Sequence, residues 1–247
     1  MRRAVALAFA LAICVFRYWW LRFCGAVTLE QRALWLQNSA RRVLKCLNAE
    51  IQVEGQPPAC GLVVANHLSY LDILVFSAAM PCFFVAKMDV GRWPIFGRAA
   101  RAGGTIFLDR ASAASAASVA EQIAERLNLP VPVLLFPEGT STDGTEVLRF
   151  HSRLIEPAAA AGAPITAAAI GYEFADGTQE RELCWYDDVE FLPHLWRVLG
   201  VKQFSARLQF GEPRIYADRR AAASQTHADV TAMRETRNRS ESAVAVP

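Results

Sequence analysis

His67 and Asp72 bracket the segment Asn66-His67-Leu68-Ser69-Tyr70-Leu71-Asp72, and a histidine with a nearby carboxylate is a pairing that can work as a general base near neutral pH. The carboxylate fixes which ring nitrogen carries the proton and stabilises the imidazolium that forms. For Asp72 to reach His67, the chain has to turn into a helix between them. The same residues also read as a helix start, with Asp72 in the first turn where the helix dipole favours a carboxylate. No G-x-S-x-G nucleophile elbow occurs; Gly139-Thr140-Ser141-Thr142-Asp143 is a near miss. A hydroxyl supplied by a substrate is then a candidate nucleophile for such a base.

Two further segments have the composition of a binding site. Gly103-Gly104-Thr105-Ile106-Phe107-Leu108-Asp109-Arg110 closes a stretch, 87–110, that carries a net charge of +3. The cluster of Lys87, Arg92, Arg98, Arg101 and Arg110 suits a phosphate or another anionic headgroup, and it equally suits a solvated basic surface. Phe136-Pro137-Glu138-Gly139-Thr140 follows four apolar residues. Gly139 permits close backbone approach, and exposed amides there can hold an anion, although taken alone the segment is an ordinary turn. His151, His194 and His227 lack evident partners and read as structural. Asp187-Asp188 reads as a solvated turn.

The elements that have to position these segments follow from hydrophobic patterning. Strands are expected over 61–65, 82–86, 105–108, 133–136, 164–170 and 204–210, with helices over 73–80 and 113–127. This alternation predicts an α/β fold with a mainly parallel sheet flanked by helices, and in such sheets ligands collect beyond the carboxyl ends of the strands. All three segments above lie at such ends. The domain organisation expected is N-terminal membrane-associated helices over 1–48, a central domain over 49–216, and a polar C-terminal helix and tail over 217–247, the tail from about residue 238.

The N-terminus carries a membrane signal. Ala4 to Phe16 is an unbroken apolar run of 13 residues behind Arg2-Arg3, shorter than the roughly 20 residues that span a bilayer. Arg17-Tyr18-Trp19-Trp20-Leu21-Arg22-Phe23 continues it with arginines among aromatic rings, a composition suited to the headgroup layer. An interfacial or partly inserted helix is expected, with a tilted span as the other option. No A-x-A-like cleavage site follows, which argues for an uncleaved anchor rather than a signal peptide. A second helix starts at the capping box Thr28-Leu29-Glu30-Gln31. Its apolar stripe, with Arg32, Arg41, Arg42 and Lys45 on the other face, fits either an anionic membrane surface or packing on its own domain.

Composition narrows the class. The 247 residues are 53% hydrophobic and 20% charged, too apolar for a disordered chain. The net charge of +2 is too small to argue for nucleic acid, but residues 1–50 alone hold +6, where an anionic membrane surface would meet them. Six scattered cysteines form no C-x-x-C pair, so neither a disulfide framework nor a metal site is expected, and the thiols read as small buried hydrophobes.

Taken in order, N-H-x4-D at 66–72, G-x-x-F-L-D-R at 104–110 and F-P-E-G-T at 136–140 resemble the glycerophospholipid acyltransferase family, most closely its bacterial 1-acylglycerol-3-phosphate acyltransferases. The resemblance covers roughly residues 50–215. It implies that His67, oriented by Asp72, deprotonates the free hydroxyl of lysophosphatidate, which attacks an acyl-CoA or acyl-carrier protein thioester to give phosphatidate for phospholipid synthesis. It also implies no cofactor, no metal and no covalent enzyme intermediate. Asn66, Gly104, Arg110, Glu138, Gly139 and Thr140 would line the substrate site, and membrane lipids would be the partners, on the cytosolic face of the inner (plasma) membrane. Two departures stand out: Ser141 occupies the place of an arginine that usually ends the third block, for which either Arg149 or Arg153 substitutes or the acceptor is not a phosphomonoester, and alanine replaces a second proline in 164–169. Lyso-ornithine lipid acyltransferases share the blocks with looser third motifs and are the alternative. A catalytically silent lipid-binding protein and a hydrolase in which His67 activates water are the remaining rivals.

Overall fold

A computed structural model describes residues 2–93, 95–109 and 112–244. The strands are β1 (Ala49–Glu54), β2 (Leu62–Ala65), β3 (Phe83–Lys87), β4 (Ile106–Leu108), β5 (Val133–Leu135), β6 (Ile165–Glu173) and β7 (Phe204–Phe210). They form one sheet in the order β1-β7-β6-β2-β5-β3-β4. Every neighbouring pair is parallel except β6 and β7, so the expected α/β fold with a mainly parallel sheet is the one observed. The helices are α1 (Arg2–Phe23), α2 (Leu29–Leu47), α3 (Leu71–Ala79), α4 (Met88–Gly91), α5 (Phe96–Gly103), α6 (Ala113–Leu127), α7 (Glu156–Ala160), α8 (Phe191–Gly200) and α9 (Arg219–Val244).

The central strands are short apolar runs because both of their faces are covered. Every residue of β2 and β5 is buried. Alternation along each strand divides the core in two: Val63 and Leu134 point to the face that receives α2 and α3, while Leu62, Val64 and Val133 join Ile123 and Val230 on the other. The edge strand β1 escaped the sequence reading. It pairs only with β7 and is mostly exposed, so it never needed a continuous apolar run.

The capping box of α2 forms: Thr28 Oγ1 accepts from Gln31 N at 3.2 Å, and Gln31 Oε1 accepts from Thr28 N at 3.0 Å. The apolar stripe of the helix, including Leu36, Ala40, Leu44 and Leu47, enters the core. Of the two environments left open by its sequence, the stripe takes the domain. Two of its four cations are likewise used internally, Arg32 donating to Ala102 O and Arg41 to Ala78 O, both at 2.8 Å. By contrast, α1 leaves Phe9, Phe16, Trp19, Trp20 and Phe23 exposed. Its helix runs for 22 residues, well beyond the 13-residue apolar run, and is long and apolar enough to cross a membrane by length and composition. Arg3 ties its start to the end of α8 by donating to Val201 O, and Trp35 Nε1 ties its middle to α2 by donating to Cys14 O at 2.9 Å. Cys14, Cys82 and Cys184 are buried, but Cys24 and Cys60 are exposed, a departure from the expectation for all six.

The C-terminal helix continues to Val244, past the expected start of the tail. Polar in composition, it nevertheless joins the core through Ala222, Thr226 and Val230. Arg234 is 5% exposed and makes a two-pronged pair with Glu180, 3.0 Å to Oε1 and 2.7 Å to Oε2, while also donating to Ile170 O and Gly144 O. Removing one partner of a buried ion pair strands the other. Arg234→Ala is expected to cost about 3–5 kcal/mol of stability in a denaturant titration, and Arg234→Lys, which cannot make the fork, is expected to recover only a fraction of that loss.

Candidate active site

The chain leaves β2 at Ala65 and enters α3 at Leu71, and the residues between them make the turn that Asp72 needs to reach back to His67. His67 Nδ1 lies 2.7 Å from Asp72 Oδ2. A carboxylate can only accept, so the ring proton resides on Nδ1 and the lone pair on Nε2 is left for a substrate. Phe136 holds the imidazole plane, its ring stacked on His67 at 4.1 Å between centroids and 13° between planes. The His67 side chain is 20% exposed and that of Asp72 is 0% exposed, so the imidazole reaches the cavity and the carboxylate does not.

A fully buried carboxylate needs donors, and Asp72 has four. Besides His67, Oδ2 accepts from Leu68 N at 2.7 Å and Ser69 N at 3.0 Å, and Oδ1 accepts from the Tyr172 hydroxyl at 2.5 Å. Asp72 thus holds the turn before α3 and orients His67 at once, whereas the capping pattern that Ser69-Tyr70-Leu71-Asp72 suggests does not form: α3 starts after Tyr70 with no side-chain cap. Tyr172, on β6, was missed by sequence reasoning because it lies 100 residues away in an apolar strand. Burial and the negative charge of Asp72 push its phenol well above the usual tyrosine range, so it remains a donor.

A second buried carboxylate joins two motifs. Glu138 Oε1 accepts from His67 N at 2.8 Å and Oε2 accepts from Leu148 N at 2.9 Å. Thr142 N returns a bond to His67 O at 2.9 Å. Burial outweighs the two amides and pushes the Glu138 pKa up to about 7. Ser141, in the place of the usual arginine, hydrogen-bonds Trp185 O through its hydroxyl at 2.5 Å, and Trp185 N donates to Leu68 O at 2.8 Å. A third loop is thereby fastened beside the base.

His67 opens into a cavity of about 270 Å³ that also takes in Lys87, Gly139, Thr140, Ser141 and Asp187, with apolar walls from Ile73, Phe84, Val90 and Leu135. Gly139 and Thr140 are therefore brought to the base, Gly139 with φ +77° in the region glycine adopts without strain. Asn66 is not at the cavity. It is buried, and its side chain clips β2 to β6, donating to Ile170 O at 3.1 Å and accepting from Ile170 N at 2.9 Å. Gly104 is not there either: it ends α5 with φ +87°, where a Cβ would meet the Phe83 ring at 3.2 Å. Arg110 lies outside the described residues. Of the other basic residues near it, Arg101 donates to Gly91 O at 3.0 Å and sits over Phe107. His194 pairs with the Tyr70 hydroxyl at 3.1 Å and His227 with Val147 O at 3.1 Å.

Two substitutions test this arrangement. Tyr172→Phe keeps the ring and removes one donor from Asp72; turnover is expected to fall about tenfold while KM for both substrates stays unchanged, a split that loss of packing would not produce. Glu138→Gln leaves one backbone amide without an acceptor, an expected cost of about 1–3 kcal/mol. Because the folded pKa of Glu138 is raised, the native state keeps a proton that the unfolded chain releases between pH 4.5 and about 7, so its share of stability is full below that window and lost as pH rises through it. Thermal melts across the window are expected to show this decline in the parent and its absence in Glu138→Gln.

Comparison with known proteins agrees with this architecture. A crystal structure of a 1-acyl-sn-glycerophosphate acyltransferase from Thermotoga maritima superimposes with a TM-score of 0.66 over 95% of this chain and 91% of that one, at 19% identity, and so shares the fold. The lyso-ornithine lipid O-acyltransferase of Pseudomonas aeruginosa is 35% identical over 173 residues, 70% of this chain and 66% of that protein. The 1-acyl-sn-glycerol-3-phosphate acyltransferase of Neisseria meningitidis is 33% identical over 174 residues, 69% of this chain and 68% of that protein. The family model described as Acyltransferase matches residues 20–171, which include both the His67–Asp72 pair and the Glu138 turn that holds it, and the chain belongs to that acyltransferase family.

Proposed function

We propose that this chain is a membrane-associated O-acyltransferase that moves a fatty acyl group from a thioester, acyl-CoA or acyl-carrier protein, to the free hydroxyl of lysophosphatidate, giving phosphatidate. The observation that carries the reading is the oriented imidazole: Nδ1 is committed to a buried carboxylate and the rest of the ring faces the cavity. In the step proposed, His67 Nε2 takes the hydroxyl proton as the oxygen attacks the thioester carbonyl carbon. The tetrahedral intermediate then collapses, the carbon–sulfur bond breaks, and the proton passes from the imidazolium to the leaving thiolate. Asp72 holds the imidazolium, while Gly139 and Thr140 border the acceptor. Glu138 and Asn66 serve by positioning, since their polar atoms are engaged with backbone. The apolar walls of the cavity suit an acyl chain, and the relatives named for lysolipid acylation favour this class of acceptor.

One observation favours a second acceptor, lyso-ornithine lipid. Where a phosphate-clamping arginine is usual, the chain has Ser141, and Asp187 lines the same cavity; a carboxylate there attracts an ammonium and repels a phosphate. The exposed aromatic face of α1 and the excess positive charge of residues 1–50 support a seat on an anionic membrane surface, with the cytosolic face of the inner membrane as the proposed side.

The experiment is acyl transfer by the detergent-solubilised protein with acyl-CoA and with acyl-carrier protein, each against lysophosphatidate and lyso-ornithine lipid. Phosphatidate formation is expected, falling by about 10²–10⁴ in His67→Ala, with folding checked by circular dichroism because Asp72 loses one of its four donors and the melting temperature falls with it. Near-parental turnover in that variant would overturn the mechanism. Ornithine lipid alone as product would select the second acceptor, fatty acid release without acceptor would indicate the hydrolase, and silence in all four pairings of folded protein would leave lipid binding.

A further inference from the structure

Beside the His67 cavity lies a larger one of about 690 Å³, and the two share Leu108, Phe136, Gly139 and Leu154 in their walls. Both open beyond the carboxyl ends of β4 and β5. The second cavity has a different character: its polar lining includes Arg149, Arg153, Arg219 and His151, and no carboxylate among the described residues lines it. Arg219 is offset by Glu156 at 3.3 Å. Arg149 and Arg153 are exposed and have no carboxylate partner among the described residues. Guanidinium groups gathered around one hollow repel one another unless an anion sits between them.

We propose that this arginine-lined cavity holds the phosphate groups of the acyl thioester donor, on the pantetheine arm that donors of both kinds carry; the assignment rests on the acyl-transfer reading. Two substrates have to converge on His67, and they carry their anionic groups at different distances from the reacting atoms. In the acceptor the headgroup is a few bonds from the hydroxyl and belongs in the cavity of His67 itself, whose described lining includes Lys87. In the donor a long flexible arm separates phosphate from thioester, so its anion site belongs in an adjoining hollow, and these two cavities adjoin across the walls they share. The volume fits as well. A single phosphomonoester would fill little of it, whereas the pyrophosphate end of CoA, or a phosphopantetheine attached to an acidic carrier protein, brings negative charge to match Arg149 and Arg153.

The backbone couples this hollow to the base. Leu148, next to Arg149, is held by the Glu138 carboxylate that also holds His67, and His151 N donates to Pro137 O at 2.9 Å. The segment bearing Arg149 and Arg153 is thus fixed relative to the imidazole through one turn.

The test is the double variant Arg149→Gln/Arg153→Gln, both positions being exposed. KM is measured for acyl-CoA and for acyl-carrier protein at saturating acceptor, and for lysophosphatidate at saturating donor; binding of CoA itself is followed by calorimetry in parent and variant. Donor KM is expected to rise at least about tenfold and CoA binding to weaken by a like factor, with KM for lysophosphatidate at its parental value. A rise for both donors assigns the arginines to the shared pantetheine phosphate and a rise for acyl-CoA alone to the nucleotide phosphates, either of which supports the proposal, whereas a rise for the carrier protein alone would overturn the phosphate assignment in favour of its acidic surface. A rise confined to KM for lysophosphatidate would overturn the proposal and assign the hollow to the acceptor headgroup, and no change in any constant would remove it from the reaction. A parent protein that binds CoA through these arginines yet transfers no acyl group would overturn the function proposed above while leaving the anion site standing.

Discussion

The carboxylate of Asp72 has no contact with solvent, and an ion without water has to be surrounded by donors or it will not stay charged. Its four donors come from two regions of the chain: the histidine and two amides of the turn after β2, and a phenol on β6. Satisfying that one group therefore specifies the turn, the start of α3 and the relation of β2 to β6 together. The side clip from Asn66 to Ile170 reinforces the same contact between strands. What faces the cavity is only the ring that this arrangement leaves over.

Glu138 has a comparable role in the next layer out. Its two oxygens are spent on the amides of His67 and Leu148, so a residue with the chemistry of a substrate ligand instead brings the turn after β5 against the turn after β2. Ser141 extends the pattern to the loop that bears Trp185. Several polar residues at the rim of this sheet hold backbone, while Gly139 and Thr140 line the cavity. The imidazole, the carboxylate that orients it and the neighbouring loops are thus fixed by the fold itself, the preorganisation that the proposed proton transfer calls for.

Charge is distributed to match. The excess positive charge of the first 50 residues lies on the segments nearest the apolar helix α1, and the arginine-lined hollow lies beside the base. The apolar stripe of α2 enters the core, and its Arg32 and Arg41 donate to backbone carbonyls of the domain. A basic amphipathic helix can thus act as the internal joint between a membrane-facing helix and a catalytic sheet.

The order of strands and helices in the sheet's centre was legible from sequence because doubly covered strands have to be short apolar runs and the helices between them keep the 3.6-residue period. The His67–Asp72 pair and the capping box of α2 were legible for a related reason: both are made by residues close together in the chain, so spacing alone carries their geometry. The edge strand β1 was not legible, since half-exposed residues leave no such pattern, and neither was the burial of α9, whose polar composition hides the Arg234–Glu180 lock. Roles also divide along this line. From sequence, Asn66, Gly104 and Glu138 are as eligible for substrate as Gly139 and Thr140; only the folded chain separates those whose polar atoms are consumed by backbone from those left at a cavity. Local chemistry is written in spacing, whereas the donor from Tyr172, the strut from Glu138 and the gathering of Arg149, Arg153 and Arg219 join residues far apart in the chain. Such partners are chosen by burial, and burial exists only once the sheet has closed.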